Sequence, residues 1–156
     1  MKGAFGYELS VDVPSPPEAV WAIVADYERD SEWREGVTMR CDPRGLAGVG
    51  TRTFEELRMF GQVHDKTARI DRVEPGRSLR FRGEDGSFEG TRSVERAGDG
   101  TRLSVTLRVE VTGALGLLAP LLGWLFRRRV QRDLARLRAL ASRASVAREG
   151  LSAAAE

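Results

Sequence analysis

The stretch Gly113-Ala-Leu-Gly-Leu-Leu-Ala-Pro-Leu-Leu-Gly-Trp-Leu-Phe126-Arg-Arg-Arg-Val130-Gln-Arg-Asp-Leu134-Ala-Arg-Leu137-Arg-Ala-Leu-Ala141-Ser-Arg143 decides how the rest of the chain must fold. Residues 115–126 are apolar on every side. The second half carries a single apolar stripe of Phe126, Val130, Leu134, Leu137 and Ala141, at steps of four, four, three and four. Those steps follow the helical period, so the five side chains share one face. A helix this apolar needs a broad apolar surface to lie against, and the chain before Gly113 reads as the sheet that would supply it. Within the first half, Pro120 marks a helix start or a kink.

The totals bound the rest. A chain of 156 residues, 41% hydrophobic and 31% charged, fits one domain with a single core. That domain is expected over residues 1–143, with 144–156 a small, polar, frayed tail. The net charge of +2 is unevenly spread, because the arginines of 127–143 face the lone acid Asp133. So local a charge reads as a solvated helix face and not as a nucleic-acid interface. Cys41 is the only cysteine and His64 the only histidine. An internal disulfide and a thiolate zinc cage are therefore excluded, and no metal or cofactor is expected. The N-terminus lacks the apolar core of a signal peptide. The apolar run before Phe126 falls short of the roughly 20 residues that span a bilayer. A cytoplasmic protein is the expectation.

Read in order, Phe5, Tyr7, Leu9, Val11 and Val13 alternate with polar or small residues, which predicts a half-buried strand. Pro14-Ser15-Pro16-Pro17 ends it, and Ser15 is placed to cap a helix whose apolar face is Val20, Ile23, Val24 and Tyr27. A second short helix is expected over residues 30–35, carrying Trp33 and ending at Gly36. From Val37 the period changes to two. Strands follow over residues 37–41, 51–58, 63–73, 78–82, 88–95 and 103–111, separated by glycine-containing turns. Short turns make successive strands neighbours, so the sheet should be an antiparallel meander.

This order resembles the START-like (SRPBCC, Bet v 1-like) superfamily, in its polyketide cyclase/dehydrase and lipid-transport branch. The resemblance is carried by Pro16-Pro-Glu-Ala-Val-Trp21, Asp26-Tyr-Glu-Arg-Asp-Ser-Glu-Trp33, Gly48-Val-Gly50-Thr51, Val73-Glu-Pro75, Gly100-Thr101 and Asp133-Leu-Ala-Arg-Leu137. It covers about residues 7–141, and its motifs are mostly turns and core positions. It implies an α+β helix-grip fold of order β-α-α-β-β-β-β-β-β-α: a curved seven-stranded antiparallel sheet wrapped around the C-terminal helix, with an apolar cavity between them. Aromatase-type members carry an arginine on the inner face of the strand after Gly61. Here Arg69 has the outward parity.

Hairpin parity selects the side chains that would face such a cavity. A turn at Gly98-Asp-Gly sets Val94 opposite Leu103, Arg92 opposite Val105 and Phe88 opposite Val109, all on the inner face. Arg92 is then either an anchor for a ligand anion or one half of a structural ion pair, and the structural reading is preferred. A tight turn at Phe60-Gly61 pairs Lys66 with Glu55, and a turn one residue longer pairs it with Glu56. Such a pair is an acid and base for catalysis or a cross-strand pair at a wet rim, the second being preferred. His64, a candidate general base by type, belongs at the rim. Trp33 either closes one end of the cavity or plugs the helix–sheet junction. Cys41 should point inward as a small hydrophobe. Ile70, Phe81, Phe88, Val105 and Leu107 complete the expected ligand-binding wall, with Leu118 and Leu122 from the apolar half of the helix.

Three functions compete. The first is a carrier that binds a small hydrophobic molecule, lipid or polyketide-like, as monomer or homodimer. The second is a cyclase/dehydrase-type enzyme in which Glu55 or Glu56, Lys66, His64 and Arg92 are the catalytic candidates. The third is a protein that docks weakly on a membrane surface through residues 115–126 and the arginines that follow.

Overall fold

The alternation at the N-terminus does form a strand, β1 (Lys2–Val13), in a computed structural model that describes residues 2–155. α1 (Pro17–Val24) follows, then a 3₁₀ helix (Tyr27–Glu32). Six strands come next: β2 (Val37–Asp42), β3 (Arg52–Met59), β4 (Gln62–Glu74), β5 (Ser78–Gly83), β6 (Phe88–Ala97) and β7 (Gly100–Thr112). α2 (Ala114–Leu117) and α3 (Ala119–Ala154) close the chain. The sheet order is β1-β7-β6-β5-β4-β3-β2, antiparallel throughout. This is the helix-grip architecture: a meander from β2 to β7, with β1 added beside β7, gripping the long C-terminal helix.

Register follows from the turns. Phe60 and Gly61 form a two-residue connection with both φ positive, 53° and 72°, the hairpin geometry whose twist matches the flanking strands. It sets Glu55 opposite Lys66 and sends Glu56, opposite Asp65, to the other face. Around Gly98 the pairs are Val94 with Leu103, Arg92 with Val105 and Phe88 with Val109, as parity requires.

The core lies at the end of the sheet covered by α1 and the middle of α3. Leu134, Leu137 and Ala141 are buried there with Val20, Val24, Ile70, Leu79 and Leu103. Ser15 does not cap α1. Pro16 takes the N-cap position without a side-chain bond, while Ser15 Oγ donates to the Ala141 carbonyl at 3.1 Å and meets Ser145 Oγ at 2.8 Å. The serine therefore ties the start of α1 to the far helix. The short second helix begins earlier than residues 30–35, because the Asp26 carboxylate accepts from the Glu28 N–H and starts a 3₁₀ turn at Tyr27. Pro120 opens α3 and does not kink it. The segment expected as a frayed tail continues α3 to Ala154, with Val146 and Leu151 exposed. Good helix formers such as Ala, Arg and Leu keep that end helical without packing. Among the described residues no helix is long and apolar enough to cross a membrane.

Leu137 is completely buried and Leu151 is 73% exposed. In urea titrations Leu137→Ala should cost about 2–5 kcal/mol. Leu151→Ala should stay within about 0.5 kcal/mol of the parent.

Candidate functional site

Beneath α2 and the first turns of α3, which lean on β1, a cavity of about 370 Å³ opens between helix and strands, a size that takes a small organic ligand. Its walls are mainly apolar: Phe5 and Tyr7 of β1, Phe81 of β5, Phe88 of β6, Val105, Leu107 and Val109 of β7, and Leu115, Leu122 and Phe126 of the helices. Two glycines shape one wall. A Cβ on Gly83 would lie 2.5 Å from the Phe88 ring, and one on Gly90 would lie 2.4 Å from the Phe81 ring. The two rings thus lie down over bare backbone, centroids 6.4 Å apart.

At the inner end the apolar lining gives way to a chain of charges. Arg92 forks onto Asp30, Nη1 to Oδ1 at 2.9 Å and Nη2 to Oδ2 at 2.6 Å, and Nη1 also donates to the Val24 carbonyl at 2.8 Å. Arg34 Nη1 donates to Asp30 Oδ2 at 3.0 Å and to Glu55 Oε2 at 2.9 Å. Asp30 is wholly buried, and the Arg92 side chain is 7% exposed. Burial alone would lower the pKa of each guanidinium. For Arg34 the charges of Glu55 and Asp30 outweigh it, and for Arg92 the charge of Asp30 does, so both are held above the ordinary arginine value. The Arg92 guanidinium also sits 4.1 Å from the centroid of the Tyr27 ring and 5.3 Å from that of Trp33.

Each candidate now has a place. Arg92 is the structural ion pair and not a free anion anchor. Glu55 faces the cavity and is opposite Lys66 in register, but its carboxylate is bound to Arg34. Lys66 makes no ion pair among the described residues, and its ammonium lies 5.9 Å from the Phe88 ring centroid. Glu56 faces outward, 3.6 Å from Arg58, and drops out of the site. His64 and Lys66 reach the cavity from β4. Trp33, Phe81, Phe88, Val105, Leu107 and Leu122 line it. Ile70 and Leu118 do not. Ile70 points the same way as Ala68 but lies two residues further along β4, fully buried in the core. Leu118 sits at the break between α2 and α3, 47% exposed. Cys41 is buried, with Sγ toward the Gly45 carbonyl.

Sequence reasoning missed Asp30, Arg34, Tyr7 and Tyr27. The signal for Asp30 was an arginine placed on an inner face, which demands an acid from whatever covers the sheet. Asp133, also at the cavity, has its pKa raised by burial, although the Glu35 N–H and Arg136 bind its carboxylate. Among the described residues no three His, Cys, Asp or Glu side chains converge as a metal would need. Among the described residues two side-chain polar atoms are buried without a partner, Tyr27 Oη and Trp33 Nε1, and both residues line the cavity.

The family model described as "Polyketide cyclase / dehydrase and lipid transport" matches residues 5–142. The chain belongs to that family. Its solved structural neighbours agree on the fold. Protein TTHA0849 from Thermus thermophilus is 27% identical, with 91% of this chain and 99% of that one covered and a TM-score of 0.73. A START superfamily protein from Mycobacterium smegmatis is 18% identical over 88% of this chain and 97% of its own, with a TM-score of 0.72. Ara h 8.0201 is 14% identical over 89% and 98%, with a TM-score of 0.66. The search of curated proteins finds no match. Locked inner charges and two orphaned ring donors give this member's cavity its character.

Two measurements test the inner end. Tyr7 and Tyr27 are the only tyrosines. Burial pushes the Tyr7 phenol from 10.0 up to about 12 and raises that of Tyr27 as well. Tyrosinate absorbance in the folded protein should therefore stay flat through about pH 10, whereas the denatured chain titrates there. Because the folded pKa is the higher, this contribution to stability is complete below about pH 10 and is lost as pH rises through the folded value. Separately, Asp30→Ala strands the buried Arg92 and leaves Arg34 with Glu55 alone, and should cost about 3–5 kcal/mol in urea unfolding. Replacing the pair together, Asp30→Leu with Arg92→Met, should recover much of that loss.

Proposed function

We propose that this protein binds a small hydrophobic molecule, lipid or polyketide-like, whose inner end carries one hydrogen-bonding group. The supporting observation is an apolar cavity whose lining includes Tyr27 and Trp33, each carrying a buried polar atom without a partner. A buried N–H or O–H left unpaired costs about 1–3 kcal/mol. A ligand oxygen reaching Trp33 Nε1 and Tyr27 Oη would remove that cost while the chain of the ligand lies against Phe81, Leu107, Leu122 and Phe126. The charged groups nearby offer it no competition, since Arg92, Asp30, Arg34 and Glu55 satisfy one another. The family's description includes lipid transport, which makes carriage the natural use of such a site. Ring closure would draw on Lys66 and His64 alone, because the other catalytic candidates are ion-paired or point outward.

Native mass spectrometry and solvent extraction of the purified protein should reveal a co-purifying apolar compound. A protein without one that also fails to take up a medium-chain alcohol would refute the reading. Displacement of a fluorescent probe should further separate an alcohol from the matching hydrocarbon. Trp33→Phe should weaken alcohol binding about fivefold, the equivalent of one hydrogen bond, and leave the hydrocarbon unaffected.

A further inference from the structure

The first turns of α3 have apolar side chains on the wrong side as well as the right one. Leu122 and Phe126 face the cavity. Leu121 and Trp124 point away from it, 51% and 52% exposed, next to Leu117 at 65% and Leu118 at 47%. Across the mouth, Phe60 at the β3–β4 turn is 70% exposed and Val63 54%. Phe60 has φ of 53°, a conformation that bulky side chains adopt only at a cost. Phe60 and Leu115 are exposed and also line the cavity, so the apolar surface runs from the outside into the mouth without interruption.

On the helix the charge beside this surface is one-sided. Arg127, Arg128 and Arg132 have no carboxylate within ion-pair distance among the described residues. Arg128 lies 5.1 Å from the Trp124 ring centroid. The one acid in this part of the helix, Asp133, is buried and bound to Arg136 and the Glu35 N–H.

We propose that this face docks on a bilayer that contains anionic lipid, with the cavity mouth held against the membrane. Leucines and a tryptophan enter the headgroup boundary, and the arginines meet anionic phosphates above them. A second copy of the chain fits less well, since a two-fold contact through this face would bring arginines against arginines. Docking rests on the surface alone. Its use, passing a ligand between bilayer and cavity, rests on the ligand-binding reading.

Flotation with phosphatidylcholine vesicles, with and without about 30% phosphatidylglycerol, tests it. The full chain should float with the anionic vesicles and hardly at all with the neutral ones. Trp21 and Trp33 are buried, so a blue shift of tryptophan emission on binding reports Trp124. Leu121→Asp with Trp124→Asp should abolish flotation. Arg127→Glu should lower partitioning by at least about fivefold, the worth of one charge at such a surface, with circular dichroism and thermal melting unchanged. No flotation with either vesicle overturns the proposal. So does flotation that the variants leave intact, or a homodimer by light scattering that Leu121→Asp dissolves while vesicles go unbound. Native mass spectrometry of the same samples keeps the two readings apart: protein that floats yet carries no apolar ligand and takes up no medium-chain alcohol refutes carriage and leaves docking standing.

Discussion

The contact between Arg92 and Asp30 is the constraint from which the closed end of this fold follows. Arg92 sits on the inner face of β6, where an unpaired guanidinium would be prohibitive. Its partner has to come from outside the sheet, and the 3₁₀ helix supplies it. The same guanidinium binds the Val24 carbonyl at the end of α1, so α1 and the 3₁₀ helix are both drawn onto the strand. Arg34 then carries the chain of charges on to Glu55 of β3. Two strands that never hydrogen-bond to each other are thereby joined beneath one short helix. Such pairs add little over apolar packing, yet removing one member is costly. They fix an arrangement more than they strengthen it.

The cavity survives because the helix is held to one side of the sheet. α2 and the start of α3 press on β1: a Cβ on Gly3 would come within 2.6 Å of the Gly116 carbonyl oxygen, and one on Gly123 within 3.2 Å of Phe5 Cβ. Phe5 and Phe126 meet there with ring centroids 5.2 Å apart. Leaning toward β1, the helix leaves the opposite strands uncovered at that end. The same kinds of side chain that make a solid core around Leu137 therefore surround a space around Leu122.

Parity carried the sequence reading a long way. Alternation over 103–111 and the glycine turns were enough to put Val94, Arg92 and Phe88 on the inner face, and the Phe60-Gly61 turn resolves Glu55 against Glu56 once its length is known. The misses share one cause. Ile70 has the correct face but too deep a position, and Leu118 lies in the apolar half of the helix but at a break in it. How far along a strand or around a helix the cavity reaches depends on how two elements pack, and neither element's own pattern contains that. Asp30 was hidden for a similar reason: its burial is decided by a strand residue 62 positions further along the chain.

Gly83 and Gly90 bear on how the dimensions of such a chamber are set. Phe88 and Phe81 can lie flat because the strand residues beneath them have no side chains. A methyl at Gly90 would strike the Thr106 carbonyl oxygen at 2.3 Å as well as the ring, so that position is closed to change. At Gly83 the near atoms belong to side chains, Phe88 and Asp85, which can give way. One added carbon there would displace the Phe88 ring, which lines the chamber. The width of the chamber is adjustable from a residue that no ligand would touch.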